Sequence, residues 1–335
     1  MPLPTIDFDA HPAYRGLEPR IEQRTELREA WDREFEHALN TWKDYEDFWH
    51  YPSETSMGGA SDVYQKLYQD GAVGICLTER TLNWLELACS AYFKRMRDAL
   101  SAEPLDRSSG SRIRLSMAEF QSQGDVKLRD AIMALLEETG LVTLTGKYLG
   151  VSEVQLSYIH FKITDNLTSI ESGTREVFSD LAWPDPPTSY LHVDTTPFHL
   201  KTIIYLSEVR DLSDGPFQYI LGSNHSSRAN FKDYVTRLAT QHYASSRNKE
   251  GRVKLMGLTP ELRQRLDFGS DLLDATSTSG DLLKREHTFH SPEANAIVFD
   301  PLGVHRGGRV VTGEREILQL TLSGVLPDGA AKSAS

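Results

Sequence analysis

Hydrophobic and polar positions follow different rhythms in the two halves of the chain, and the change comes near residue 151. Before it, apolar residues recur every three to four positions, as in the highly charged stretch from Pro19 to Trp49. This spacing is typical of helices that bury one stripe and expose the opposite face. After residue 151, short apolar or alternating runs are separated by turn residues, which indicates strands.

The individual elements follow from these rhythms. A short helix is predicted to end at the Asp70-Gly71 turn and to lead into an apolar strand, because glycine readily ends helices. Further helices are predicted for 78–100 and, after a loop rich in serine, proline and glycine, for 125–150. Strands are predicted at 153–164, 189–194, 198–209, 216–223, 295–305 and 315–325.

Helices in one half and many short strands in the other predict an α+β fold, most simply a β-sandwich or barrel braced by N-terminal helices. We expect a helical extension over 1–58, one domain over 59–325 whose β core starts near 151, and a disordered tail over 326–335. A polar loop at 164–189 and a polar, partly helical insertion at 226–290 interrupt the strands. Segments of this length are more often functional lids than accidents.

Composition narrows the classes of partner. The 335 residues are 39% hydrophobic and 25% charged, as in an ordinary globular protein, and the net charge is −12. Such an acidic chain disfavours nucleic acid and anionic membranes as partners and favours a small-molecule substrate. Cys76 and Cys89 form no CxxC pair, and no targeting or transmembrane segment is evident. We therefore expect a cytoplasmic protein without disulfides.

The stretch SYLHVDTTPFHL contains a pair of residues that can bind a metal, His192 and Asp194. Because they are two positions apart, both side chains would lie on one side of a strand. A third ligand must come from the later histidines, which are His199, His225, His242, His287, His290 and His305. His305 is preferred because it ends an apolar strand and lies ten positions before Arg315, which begins the last long strand.

Together, these residues resemble the Fe(II)/2-oxoglutarate-dependent oxygenases, and specifically the phytanoyl-CoA dioxygenase-like family. The resemblance extends over about 60–325 and includes LYQDGAVGI, DGPFQYILGSNH and NAIVFDPLGVHRGG. It implies a double-stranded β-helix, a jelly-roll or cupin-like core, with His192, Asp194 and His305 as catalytic metal ligands. The gap from Asp194 to His305 is longer than is usual in the family, which we attribute to the insertion. His225 by resemblance ends a strand and is not a ligand.

The implied cofactors are Fe(II), the cosubstrate 2-oxoglutarate, and O2. Two histidines and one carboxylate leave three positions open on Fe(II), which suits a bidentate 2-oxo acid and O2. The distal carboxylate of the cosubstrate needs a fixed cation, and the planar fork of an arginine binds carboxylates bidentately. Alternation in REILQLTLSG places Arg315 on the face of Ile317 and Gln319, towards the barrel interior, while three leucines face the helices.

Weaker site candidates come from neighbouring strands. In EVQLSYIHFKIT, alternation places Leu156, Tyr158, His160 and Lys162 on one face. The resemblance makes Tyr158 and His160 candidates for the cosubstrate pocket, together with Ser189 and Thr202, and the candidates for substrate contact are His199, Trp183 and Lys162. Each of these residues could equally be an ordinary packing or surface side chain.

The implied reaction is oxidation, most simply hydroxylation, of an unactivated C–H bond in a small, polar metabolite, with release of succinate and CO2. Desaturation, cyclisation or epoxidation in natural-product biosynthesis is an alternative outcome, whereas Asp194 disfavours halogenation, because family halogenases have a small residue there. A non-catalytic metal-binding jelly roll and a zinc or manganese isomerase of the cupin type are the rivals from other classes. The substrate and the oligomeric state stay open.

Overall fold

The computed structural model of the chain describes residues 14, 16–43, 46, 62–102, 111–116, 126–165, 191–194, 198–224, 231–244, 249–264, 280, 283–291 and 293–325. The helices in this part are α1 (Ile21–Trp42), α2 (Asp62–Asp70), α3 (Glu79–Ala102), α4 (Val126–Glu138), α5 (Leu141–Leu149), α6 (Phe231–Tyr243), α7 (Lys249–Met256) and α8 (Pro260–Gln264). The strands are β1 (Ala72–Ile75), β2 (Ser111–Ser116), β3 (Val154–Asp165), β4 (His199–Tyr205), β5 (Phe217–Ile220), β6 (Glu286–Phe289), β7 (Ala296–Phe299), β8 (His305–Gly307) and β9 (Glu314–Gly324). None of these helices combines the length and the apolar character that crossing a bilayer requires.

The larger sheet is antiparallel and has the strand order β1-β7-β4-β9-β3-β2. Its central strands are apolar on one face, where Leu318, Leu320 and Leu322 of β9 share a core with residues of α3, α4 and α5. Ile317 belongs instead to a second core, on the opposite face. The alternation predicted for the last strand is therefore confirmed, because a strand turns successive side chains to opposite faces.

The alternation predicted for β3 is wrong at Leu156. The register with β9 shifts there, so that Leu156 pairs with Leu322 while Tyr158 pairs with Thr321, and Ser157 is the extra residue of a bulge. A bulge resets the side-chain alternation. Leu156 therefore packs in the core on the helical face, and Tyr158 starts the run that faces the other way.

The smaller sheet has the order β6-β5-β8, and it is extended by an isolated antiparallel bridge between His192 and His305. Phe217, Tyr219 and Phe289 of this sheet pack against Ile203 and Ile317 of the larger one. Two antiparallel sheets packed face to face, with helices covering the outer face of one of them, confirm the α+β class. They also fit the predicted jelly-roll core.

Helices α3, α4 and α5 brace the larger sheet, as predicted for the N-terminal half, whereas α1 packs elsewhere. Its apolar side packs against α6, and the Trp31 indole donates a hydrogen bond to Thr240 Oγ1 at 3.0 Å. The Tyr243 hydroxyl likewise donates to the carbonyl of Leu27 at 2.7 Å. The predicted insertion therefore supplies the partner of the N-terminal helix. It also contains β6, and neither β6 nor β2 was expected from the sequence.

Gly71 ends α2 as predicted. Its φ of 81° is in the left-handed region, and its amide donates to the carbonyl of Leu67 at 2.9 Å, which closes the last turn. A Cβ atom here would also lie 2.4 Å from the hydroxyl of Tyr219 and 2.7 Å from Asn224. Gly71 therefore allows both the turn and the close approach of two buried polar side chains.

Candidate active site

The candidate metal ligands lie on two antiparallel segments, one short and one at the start of β8. The backbone amides of His192 and His305 donate to each other's carbonyls at 2.9 and 2.8 Å. The amide of Asp194 donates to the carbonyl of Pro301 at 2.8 Å. Because His192 and Asp194 are two positions apart in an extended segment, both side chains point to the side on which His305 lies.

Three side chains converge at this point. One ligand atom from each of His192, Asp194 and His305 can be chosen so that all three lie within 4.8 Å of one another. His305 Nε2 is 3.7 Å from Asp194 Oδ2, and the two imidazole centroids are 4.4 Å apart. Among the described residues, no other group of three histidine, cysteine or acidic side chains meets this criterion.

The His305 ring is fixed by its surroundings. Its Nδ1 lies 2.9 Å from the carbonyl oxygen of Gly303, and since a carbonyl only accepts, Nδ1 carries the proton. The lone pair is then on Nε2, the atom that faces Asp194. The ring is 5% exposed and lies among Phe299, Phe217 and Tyr219, with centroid distances of 5.1, 5.7 and 6.3 Å. Metal-binding histidines are usually oriented in the same way, with one ring nitrogen donating to a carbonyl and the other facing the metal.

His305 and Asp194 are both held in the protonation state that binding a metal requires. Burial and the neighbouring His192 lower the pKa of His305 to about 3, so the ring is neutral near pH 7. Burial by itself would raise the pKa of Asp194, but the charge of Lys201 and its hydrogen bond keep that pKa well below its usual range. A neutral imidazole and an ionised carboxylate can both bind a cation.

Lys201 is a site residue that the sequence reasoning missed. Its ammonium group, on β4, forms an ion pair with Asp194 Oδ2, the same oxygen that faces His305. The side chain is 18% exposed. Alternation could have identified it, because Lys201 lies two positions before Ile203, which packs between the sheets.

A divalent cation bound to Asp194 would be repelled by the Lys201 ammonium and would compete with it for the same oxygen. At a few ångströms this repulsion amounts to several kcal/mol before screening by solvent and salt. We therefore expect Lys201→Met to bind Co(II) about 10-fold more tightly, measured by competition with a chromophoric chelator. Lys94→Met is the control, since Lys94 is 77% exposed on α3. Weaker binding by Lys201→Met would show that the lysine orients Asp194 instead.

Arg315 begins the inner face of β9, next to β8. Its Nη1 donates to the carbonyl of Gly308 at 3.4 Å, a long bond, and its Nε is buried without a hydrogen-bond partner among the described residues. Burial lowers the pKa of Arg315, opposed only by the nearby Tyr205. A half-buried guanidinium that has no carboxylate partner among the described residues is costly, and an anionic ligand would relieve that cost.

Tyr205 connects the two sheets beside Arg315. Its hydroxyl accepts a hydrogen bond from the amide of Phe217 at 2.7 Å and donates to the carbonyl of Phe289 at 3.0 Å. Burial raises the pKa of Tyr205 to about 12, so the group remains a neutral phenol and does not neutralise the guanidinium.

Other predicted residues form a polar surface on the inner face of the larger sheet. Tyr158, His160 and Lys162 alternate with Ile159, Phe161 and Ile163, which pack on the helical side. Lys162 Nζ donates to Gln319 Oε1 at 2.7 Å, across to β9. His199 is 3% exposed and lies on the same face of β4 as Lys201. The structure therefore groups the β3 candidates and His199 on the face that bears Arg315.

Thr202 does not belong to this surface, in contrast to the prediction. It is 1% exposed and lies between Leu200 and Ile204, both of which pack in the core on the helical side. A shift of one position along a strand reverses the face. Ser189, Trp183 and His225 lie outside the described residues, as do most of the candidate lid at 164–189 and the tail at 326–335.

No family model matches the chain, and the curated proteins include no match. Among solved structures, a non-heme alpha ketoglutarate dependent carbocyclase, SnoK from nogalamycin biosynthesis, is 11% identical at a TM-score of 0.46, over 83% of this chain and 92% of that one. EctD from S. alaskensis, with 2-oxoglutarate and 5-hydroxyectoine, is 15% identical at a TM-score of 0.45, over 78% of this chain and 75% of that one. EvdO2 from Micromonospora carbonacea var. aurantiaca is 13% identical at a TM-score of 0.44, over 81% of this chain and 96% of that one. The description of SnoK names alpha ketoglutarate and that of EctD names 2-oxoglutarate, whereas none of the three names the phytanoyl-CoA branch.

Proposed function

We propose that this protein is an Fe(II)- and 2-oxoglutarate-dependent dioxygenase that oxidises, most simply hydroxylates, a C–H bond of a small polar molecule. The single observation that carries the proposal is the combination of two features between the same two sheets. One is a convergent set of two histidines and one carboxylate, and the other is the half-buried Arg315, whose buried Nε lacks a hydrogen-bond partner among the described residues.

The ligand set fits Fe(II). His192, Asp194 and His305 supply two imidazoles and one carboxylate, the donor set of non-haem iron oxygenases that leave several coordination positions open. The bond from His305 Nδ1 to Gly303 fixes which nitrogen can bind the metal. Bound iron would activate O2 and bind the 2-oxo acid group of the cosubstrate, which is the chemistry that the protein itself cannot supply.

Arg315 fits the other end of 2-oxoglutarate. The carboxylate that is not bound to iron needs a cation at a fixed distance, and a guanidinium can give it two parallel charge-assisted hydrogen bonds. Arg315 lies beside Gly308, three positions beyond His305, so the strand that supplies the ligand also leads to the anchor. Its buried Nε is shielded from water that would otherwise compete for that donor.

In the proposed reaction, 2-oxoglutarate, O2 and a C–H bond give succinate, CO2 and an alcohol. One oxygen atom enters the new carboxylate of succinate and the other enters the product. The inner surface with the half-buried Tyr158, His160 and Lys162 supports a polar substrate, because polar side chains next to a ligand favour polar contacts with it.

The proposal is tested first without a substrate. Anaerobic addition of Fe(II) and 2-oxoglutarate is expected to give a weak visible charge-transfer absorption that neither component gives alone. With O2, succinate release is then measured across a panel of small polar metabolites, with mass analysis of each product for a gain of one oxygen. A protein that binds Fe(II) but neither shows the absorption nor releases succinate would be a non-catalytic jelly roll or a cupin-type isomerase.

A further inference from the structure

The loop between β7 and β8, residues 300–304, influences the geometry of all three candidate ligands. It leads directly into His305, the first residue of β8, which is bonded through its backbone to His192. It also supplies the Pro301 carbonyl that holds the amide of Asp194 and the Gly303 carbonyl that holds the His305 ring. A shift of this loop would therefore move the ligands relative to one another.

A buried carboxylate anchors this loop. Asp300 is 0% exposed, and its Oδ1 accepts a hydrogen bond from the amide of Leu302 at 3.0 Å. Its Oδ2 accepts one from the hydroxyl of Tyr148 at 2.7 Å, and Tyr148 lies on α5 on the helical side of the larger sheet. The side chain of Asp300 thus connects the loop to the helical layer.

The backbone of the loop is held from the other side by β5 and the turn that follows it. The Tyr219 hydroxyl donates to the carbonyl of Asp300 at 2.9 Å, and Ser223 Oγ accepts a hydrogen bond from the amide of Val304 at 2.7 Å. A Cβ atom on Gly303 would lie 1.8 Å from the Tyr219 hydroxyl. The loop has therefore little freedom to move without breaking buried hydrogen bonds, which is costly.

We propose that Asp300 and Tyr148 are positioning residues that set the affinity and geometry of the metal site from behind the loop. This inference rests on the proposed function, in that it assumes a metal at His192, Asp194 and His305. Neither Asp300 nor Tyr148 is one of the three converging residues, and both act through the loop. Partners of this kind commonly change metal affinity by about 10- to 100-fold.

The test removes one oxygen atom. Tyr148→Phe deletes the donor to Asp300 and is expected to weaken Co(II) binding about 10-fold or more, and to change the visible spectrum of the Co(II) protein. Tyr148→Phe also removes the hydrogen bond that the Tyr148 hydroxyl accepts from Asn224 Nδ2 at 3.0 Å. Tyr243→Phe is the control, because it also removes a tyrosine hydroxyl, but one that bonds between α1 and α6. Its Co(II) affinity and spectrum should equal those of the wild type. Urea unfolding without metal measures the stability of both variants separately.

A second variant changes Asp300, the acceptor of the hydrogen bond from Tyr148. Asp300→Asn keeps the shape and an acceptor for Leu302 but turns an amide towards Tyr148. The double variant with Tyr148→Phe should bind Co(II) no more weakly than the weaker single variant, because both changes remove the hydrogen bond that Tyr148 donates to Asp300.

Other results would overturn either the positioning role or the proposed function. Wild-type Co(II) affinity in Tyr148→Phe, an equal loss in Tyr243→Phe, or additive losses in the double variant would each overturn the positioning role. Failure of the wild type itself to bind Co(II) would instead overturn the proposed function.

Discussion

The His305→Ala variant is expected to bind Co(II) on the order of 100- to 1000-fold more weakly than the wild type and to form no succinate. The binding energy of about 10–16 kcal/mol seen for four-ligand zinc sites is roughly 2.5–4 kcal/mol per ligand. His305 is a well-suited ligand because its pKa of about 3 leaves it neutral and its Nδ1 is already bonded to Gly303. Isothermal titration with Co(II) measures the change.

The control for this change is another histidine. His242 on α6 is 79% exposed and pairs with Glu34 of α1, so His242→Ala should keep both metal affinity and activity. Circular dichroism checks that the His305→Ala variant is folded. Unchanged Co(II) binding by a folded His305→Ala variant would contradict the metal site itself.

Arg315→Gln is expected to raise the KM for 2-oxoglutarate about 100-fold while leaving Co(II) affinity unchanged. Two hydrogen bonds to a charged group contribute about 1.5–3 kcal/mol each, and loss of at least 3 kcal/mol gives about that factor. The KM of Arg315→Lys should fall between those of the wild type and Arg315→Gln, because lysine keeps the charge but lacks the planar fork of donors. Succinate formation at varied 2-oxoglutarate gives the KM values.

Thermal unfolding gives an independent measure at Arg315. Since ligand binding stabilises the folded state, 2-oxoglutarate with Co(II) should raise the Tm of the wild type and have a much smaller effect on Arg315→Gln. Arg210→Gln is the control, as Arg210 is 69% exposed and pairs with Glu208. An isomerase that does not use 2-oxoglutarate would show the opposite pattern: Arg315→Gln would keep its activity, and neither Tm would respond.

Properties that depend on strand alternation were predictable from the sequence. His192 and Asp194 share a side because they are two positions apart, and Arg315 and Ile317 share the inner face of β9 for the same reason. Alternation is local, so it can be applied as soon as a strand is identified. The helix before Gly71 and the apolar strand after it were predictable in the same way.

Prediction was less reliable where the tertiary structure changes the phase of a strand or supplies a distant partner. The bulge at Ser157 turned Leu156 to the helical face, and Thr202 faces the helices whereas its neighbour Lys201 reaches Asp194. A bulge shows in the pairing of two strands and not in the residues of one. The bond of Tyr148 to Asp300 joins residues 152 positions apart, which no local pattern encodes.

The sequence by itself determined which chemical groups are available and which side of each strand they occupy, because side-chain type and two-residue alternation are properties of short stretches. Only the tertiary structure decided that His305 meets a pair more than a hundred positions earlier, through backbone bonds between two antiparallel segments. It also decided that the Nε of Arg315 is buried without a hydrogen-bond partner among the described residues. Both facts depend on how the two sheets pack face to face, and that packing is a property of the whole chain.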